Sequence, residues 1–303
     1  DTMKDTIYTL FQNIVKNNRH KTAIIENNRT MSFGELSDLV DIIGNTFPDN
    51  IDSVGIVMDH RAEMIAAILA VLKCGGRYVP AEPNFPTGRI HYMMKEANVD
   101  FILTEREYAE KLNGFPLRLT ECEICGMETS GRERIYKQSP NSPAYVLYTS
   151  GTTGRPKGVC VTNSNVCHYV RAFNNEFHIN DTDIMLQYSV CSFDIFVEEV
   201  FAGLLNGAAV AIPSEDDKSN INSLMSFVEK HNVTIISGFP YLLAEMNHLP
   251  QIPSSLRLLI SGGDILRGVY VEHLLEQADV YNTYGPSETT VCASYYHCNK
   301  GIL

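Results

Sequence analysis

Short runs of β-branched and aliphatic residues alternate with helix-compatible stretches through most of this chain, and that alternation limits the fold more than any other feature. Residues 53–58 read as a strand. Residues 61–73 then show helical periodicity and stop at Gly75-Gly76, as a helix with a glycine C-cap does. Further strand-like runs fall at residues 99–103, 145–148, 184–186, 208–212, 234–236 and 256–260, most of them followed by a helical pattern. Strands separated by helical crossovers pair in parallel and need helices on their faces, so the expected class is α/β, with largely parallel sheets covered by helices. Gly114, Pro116, Gly126, Gly131, Pro140 and Pro143 cluster where periodicity fades. They divide the chain into two expected α/β lobes, approximately residues 1–140 and 141–303, in keeping with 303 residues at roughly 150 per domain.

Composition narrows the partners. The 24 Lys and Arg against 36 Asp and Glu give a net charge of −12, so no nucleic-acid or anionic membrane surface is expected, and any phosphate must be met locally. The longest apolar run, residues 64–72, lies between Glu63 and Lys73 and falls well short of the ~20 residues of a membrane span. It is expected to be a buried helix. No leader-like segment opens the chain, and the eight cysteines are scattered, which suits reduced thiols in the cytoplasm. Cys122-Glu123-Ile124-Cys125 has the spacing of half a zinc site, but no second pair accompanies it.

The chemistry concentrates in residues 148–158, Tyr-Thr-Ser-Gly-Thr-Thr-Gly-Arg-Pro-Lys-Gly, between a strand and a helix expected to open near Thr162 or Asn163. Glycines let a ligand approach the backbone, hydroxyls offer neutral donors and Lys157 adds a point charge, a combination that suits a polyphosphate. It is not a Walker A loop, because no Gly-Lys-Ser/Thr triplet occurs and Pro156 lacks an N–H.

This loop resembles the signature loop of the adenylate-forming, AMP-binding superfamily, which includes acyl-CoA synthetases and the amino-acid adenylation domains of nonribosomal peptide synthetases. Residues 72–86, Leu-Lys-Cys-Gly-Gly-Arg-Tyr-Val-Pro-Ala-Glu-Pro-Asn-Phe-Pro, with Arg89-Ile90, Phe193-Asp194 before Phe201, and residues 282–291, Asn-Thr-Tyr-Gly-Pro-Ser-Glu-Thr-Thr-Val, follow the order and spacing of the adenylation domains. The resemblance covers essentially the whole chain and implies the N-terminal large lobe of such a domain. The strand pattern that begins at residues 291–298 is followed by only five residues. The third, barrel-like part of the large lobe and the C-terminal small lobe are therefore expected to be mostly or wholly missing.

The resemblance also implies roles. The chain would join an α-amino acid to ATP, giving an aminoacyl-adenylate and pyrophosphate, and the product would be loaded onto the phosphopantetheine thiol of a partner carrier domain. Lys157, with the donors of Thr149, Ser150, Gly151, Thr152, Thr153 and Gly154, would face the β- and γ-phosphates. Glu288 would ligate Mg²⁺ and Ser287 would lie near the α-phosphate, while Tyr284, Gly263 and Asn282 would hold the adenine. Asp194 would bind the substrate ammonium; the competing reading is a helix N-terminal acid complementing the dipole.

Carried over from Asp194, the side-chain pocket is Ile195, Glu198, Ser237, Ile260, Gly262, Thr283, Val291 and Cys292. An unpaired carboxylate in such a pocket costs several kcal/mol or takes up a proton. Glu198 therefore favours lysine or ornithine, unless it turns to solvent or pairs with a protein cation. The alternatives are a stand-alone ligase charging a carrier protein with D-alanine or another acid, and a truncated fragment of low activity that only binds nucleotide or amino acid.

Overall fold

A computed structural model describes residues 4–121, 139–150, 154–286, 290–292 and 294–300. Its contacts divide the chain into two compact units, the first formed by Asp1–Lys21, Met31–His168 and Val190–Phe193, the second by Thr22–Thr30, Tyr169–Ser189 and Asp194–Leu303.

The first unit is built on a six-stranded sheet in the order β6 (Leu117–Leu119), β5 (Phe101–Thr104), β3 (Ser53–Val57), β4 (Arg77–Pro80), β7 (Pro143–Ser150) and β8 (Pro156–Thr162). Pairing is parallel from β6 to β7 and antiparallel between β7 and β8. The crossover between β3 and β4 is the helix Ala62–Lys73, in which every residue from Met64 to Leu72 is buried, as the apolar run requires. It ends where Gly75 takes φ +81°, and the Gly75 and Gly76 amides donate to the Leu72 and Val71 carbonyls. A core of Val57, Val79, Ile90, Met93, Met94 and Ile102 lies between the sheet and the helix Thr87–Glu96.

The second unit carries an eight-stranded sheet in the order β14 (Ser294–His297), β13 (Asp279–Tyr284), β12 (Leu258–Ser261), β11 (Ile235–Gly238), β9 (Ile184–Leu186), β10 (Ala209–Ala211), β1 (Thr22–Glu26) and β2 (Arg29–Ser32). Pairing is parallel from β13 to β1, and β14 closes the far edge antiparallel to β13. Leu224, Phe227 and Val228 of the helix Ile221–Lys230 join Ile236, Leu243, Leu259 and Val280 in its core.

The N-terminal ends of three adjacent strands are tied by one charged cluster. Asp183, 2% exposed, accepts from the Arg257 guanidinium at 2.8 and 2.7 Å and from the Thr234 hydroxyl at 2.7 Å. These residues immediately precede β9, β12 and β11. Burial alone would raise the Asp183 carboxyl, but the bonds from Arg257 and Thr234 outweigh it and hold the group below its ordinary range. The opposite, C-terminal ends of the same strands are left for the polar residues of the site, where ligands bind in open parallel sheets.

Among the described residues, no helix is long and apolar enough to cross a membrane.

Candidate functional site

In the second unit the strand register sets the candidate residues side by side. Ser237 pairs with Ile260, Gly238 with Ser261 and Ser261 with Asn282, while the Gly262 amide donates to the Gly238 carbonyl at 2.9 Å. Thr283 bonds back to the Ser261 carbonyl at 3.1 Å. A Cβ on Gly262 would lie 2.7 Å from the Thr283 hydroxyl, so at this position only glycine leaves the neighbouring strand end undisturbed.

Asp194 opens the short helix Asp194–Val197, half-buried, and the chain then widens into a π-helical turn over Glu198–Ala202. Such turns often mark functional sites. Glu198 is only 2% exposed, and its two carboxylate oxygens accept from the hydroxyls of Tyr169 and Ser237. It forms no ion pair among the described residues. Burial, opposed by those two hydrogen bonds and reinforced by the nearby charge of Asp194, pushes its carboxyl up to about 7. The Cys292 thiol lies 3.7 Å from the Tyr169 hydroxyl, so the tyrosine links Cys292 to Glu198, whose other oxygen takes Ser237. Ile195, Ile260 and Val291 are buried apolar residues of the same unit. Thr290 and Val291, both β-branched, sit at φ +58° and +67°, a strained pairing of the kind that concentrates at ligand sites.

Glu199, fully buried, holds the neighbouring backbone. It accepts from the Tyr188 and Ser189 amides at 2.9 and 3.1 Å and from the Gln187 side chain at 3.1 Å, and burial lifts its carboxyl to about 8. Neither Tyr169 nor Glu199 is singled out by the sequence. The helical spacing that places Tyr169 on the inner face of Asn163–Phe177 says nothing of an acid 29 residues away.

The nucleotide-facing candidates of this unit are Gly263, Asn282 and Tyr284. Gly263 has φ +83°, and a Cβ there would meet the Phe239 ring at 2.6 Å. Among the described residues the Asn282 side-chain oxygen is buried without a hydrogen-bond partner, an acceptor that a ligand amino group would satisfy. Tyr284 is 75% exposed, so its ring face is open and it is not a core tyrosine. Ser287 and Glu288 lie outside the described residues.

In the first unit, β7 and β8 form a hairpin that sets Thr149 opposite Lys157. Residues 148–158 are therefore less of a loop than their composition suggests: β7 runs on to Ser150 and β8 begins at Pro156, because antiparallel pairing with a neighbouring strand overrides the local preference of Gly and Pro for turns. Lys157 is exposed, and Gly154 turns at φ +82°. Gly151, Thr152 and Thr153, like the Cys122 and Cys125 pair, lie outside the described residues.

The chain is 36% identical over 304 residues to bacitracin synthase 2 of Bacillus licheniformis, a match covering 97% of this chain and 11% of that protein. It is 31% identical over 289 residues to the delta-poly-L-ornithine synthetase of Acinetobacter baumannii, covering 93% of this chain and 21% of that one. It thus spans a small part of the length of either relative. Its fold superposes on a nonribosomal peptide synthetase, FmoA3, in an AMPPNP-bound form, with a TM-score of 0.88 and 26% identity over 97% of this chain and 33% of that chain. The family model for the AMP-binding enzyme matches residues 11–301. With that match running through both units, through the β7–β8 hairpin and the strand ends that carry Asn282 and Tyr284, the chain belongs to the AMP-binding enzyme family.

Proposed function

We propose that the chain activates a basic α-amino acid, lysine or ornithine, with ATP. A carboxylate oxygen of the amino acid attacks the α-phosphorus, the bond from that phosphorus to the bridging oxygen of the β-phosphate breaks, and aminoacyl-adenylate and pyrophosphate form. The adenylate would pass to the phosphopantetheine thiol of a carrier domain. Family membership and likeness to peptide synthetases support the adenylation step.

In this reading Lys157 offsets charge on the β- and γ-phosphates, and Thr149, Ser150, Gly151, Thr152, Thr153 and Gly154 supply hydrogen-bond donors to them. The Asn282 oxygen accepts from the adenine amino group, Tyr284 lies against the ring and Gly263 leaves it room. Ser287 donates near the α-phosphate. Glu288 holds Mg²⁺, which when bound offsets phosphate charge.

The observation that carries the choice of substrate is Glu198. It is a buried carboxylate held by two hydroxyls, with no cationic partner among the described residues, four residues after Asp194. With the substrate ammonium on Asp194, a cation at the far end of a four- or three-carbon side chain would supply the charge Glu198 lacks. Gly262 and Ser237 leave depth at the strand ends, and Ile195, Ile260, Val291, Thr283 and Cys292 line the stem. The name of the ornithine synthetase relative is in keeping with this choice.

ATP–pyrophosphate exchange across a panel of amino acids, paired with calorimetric binding of the same panel, tests both parts. Exchange that depends on lysine or ornithine is expected. Preference for leucine or phenylalanine over every basic amino acid would overturn the substrate assignment, and binding without any exchange would reduce the chain to a binding module.

A further inference from the structure

The first unit contains a second cluster of reactive side chains that adenylation leaves unused. His60 follows β3, Glu82 follows β4, and Cys191 lies in the segment Val190–Phe193 of the same unit. β3 and β4 are adjacent parallel strands in which Ile56 pairs with Pro80, so both connections leave the sheet at its C-terminal edge side by side. His60 Nε2 is 2.6 Å from Glu82 Oε1, and that same oxygen accepts from the Cys191 amide at 2.7 Å. The imidazole nitrogen, the carboxylate oxygen and the Cys191 sulfur all lie within 4.8 Å of one another. Cys191 and Glu82 are buried, and the His60 side chain is only 10% exposed.

We propose that His60, Glu82 and Cys191 form a zinc site, with the fourth position open to water. One nitrogen, one oxygen and one sulfur donor match the borderline softness of Zn²⁺, and three protein ligands with an open position are a familiar zinc arrangement. Ligand atoms about 2.0–2.3 Å from a tetrahedral metal stand roughly 3.3–3.8 Å apart, so the His60–Glu82 contact of 2.6 Å would open by about 0.7 Å or more, and a pair near 4.8 Å would close by about 1 Å, to hold an ion.

Charge balance suits a buried position. One thiolate, one carboxylate and one neutral imidazole around a divalent ion sum to zero, which avoids the cost of enclosing a net charge. On binding, the Cys191 thiol gives its proton to solvent as the zinc–sulfur bond forms, and the proton that His60 Nε2 shares with Glu82 passes to solvent or to Nδ1, which frees the Nε2 lone pair for the metal. Burial, with the Glu82 carboxylate beside it, keeps that thiol protonated in the absence of metal. Glu82 is held in place by its hydrogen bonds with His60 and with the Cys191 amide. An ion here would clamp the segment that leads, three residues on, into Asp194.

The test begins with the whole chain, stripped of metal and titrated with Co²⁺ as a spectroscopic stand-in. One equivalent should bind with intense tetrahedral bands and a sulfur-to-cobalt charge-transfer band. Cys191→Ser should abolish that band, and His60→Gln should weaken metal affinity by about 100-fold or more. A Cys122→Ser/Cys125→Ser double variant should keep both. X-ray absorption of the zinc-loaded chain needs no variant and so stands even if a substitution prevents folding: one sulfur at about 2.3 Å with nitrogen and oxygen neighbours is expected. No charge-transfer band, two sulfurs at the metal, or loss of binding in the Cys122/Cys125 variant would overturn the site.

Discussion

Replacing Glu198 by glutamine isolates the cost of burying an unpaired acid. The Glu198 carboxyl titrates at about 7 in the folded chain against an ordinary 4.5, with burial the largest cause. As pH rises the unfolded chain releases this proton first. The folded chain is therefore unpenalised below about pH 4.5, loses stability between that point and pH 7, and carries the whole penalty above it. At 1.36 kcal/mol per pH unit the penalty amounts to about 3 kcal/mol. Glu198→Gln keeps the shape and cannot ionise, so its stability relative to the original chain should rise by about 3 kcal/mol between roughly pH 4.5 and pH 8. Glu199, lifted to about 8 chiefly by burial, is present in both proteins; the Glu198 charge is the last of the causes that raise it, so its contribution to the difference is small. Urea unfolding at several pH values measures the effect directly. Adding lysine or ornithine at about pH 8 should stabilise the original chain and do little for the variant, since a charged hydrogen bond of about 1.5–3 kcal/mol is lost, roughly 10- to 150-fold in affinity. Parallel pH profiles for the two proteins would show that Glu198 carries no burial penalty, and the argument for a cationic substrate would fall with it.

Asp194→Ala should weaken amino-acid binding far more than ATP binding, because only the ammonium loses a charged partner; calorimetry with each ligand reads this. Lys157→Ala and Glu288→Ala should each lower ATP–pyrophosphate exchange by about 10²–10³-fold with unchanged far-ultraviolet circular dichroism. Gly262→Ala should displace Thr283 from the Ser261 carbonyl, costing about 1 kcal/mol in urea unfolding, and should weaken lysine binding relative to a shorter amino acid. Arg257→Ala should destabilise the second unit by about 1–3 kcal/mol at neutral pH, since it takes the cation from the buried Asp183 and leaves it the bonds from the Thr234 hydroxyl and the Asn180 amide. The loss should shrink on acidification as Asp183 takes up a proton, because a carboxyl held below its ordinary range stabilises the fold only while ionised.

What the sequence determined by itself is local. The runs at residues 53–58, 184–186 and 256–260 correspond to the strands Ser53–Val57, Ile184–Leu186 and Leu258–Ser261, and the apolar stretch after Ala62 is a buried helix, because period and burial are written in consecutive residues. Dense short motifs carried the family for the same reason. The edges of the sheets were harder to read: β8 begins at a proline among glycines and exists because β7 offers it a partner. Nor does any local pattern tell that Thr22–Thr30 leaves its neighbours to join the second unit, where β1 pairs with β10 nearly two hundred residues on. The same holds for the chemistry. Glu198 can be picked out by its spacing from Asp194, but its protonation depends on Tyr169 and Ser237, brought to it from 29 and 39 residues away. The juxtaposition of His60 and Glu82 with Cys191, 109 residues beyond Glu82, is likewise a product of folding. Burial and long-range hydrogen bonding set the energy of a charge, and neither exists until the chain has closed on itself.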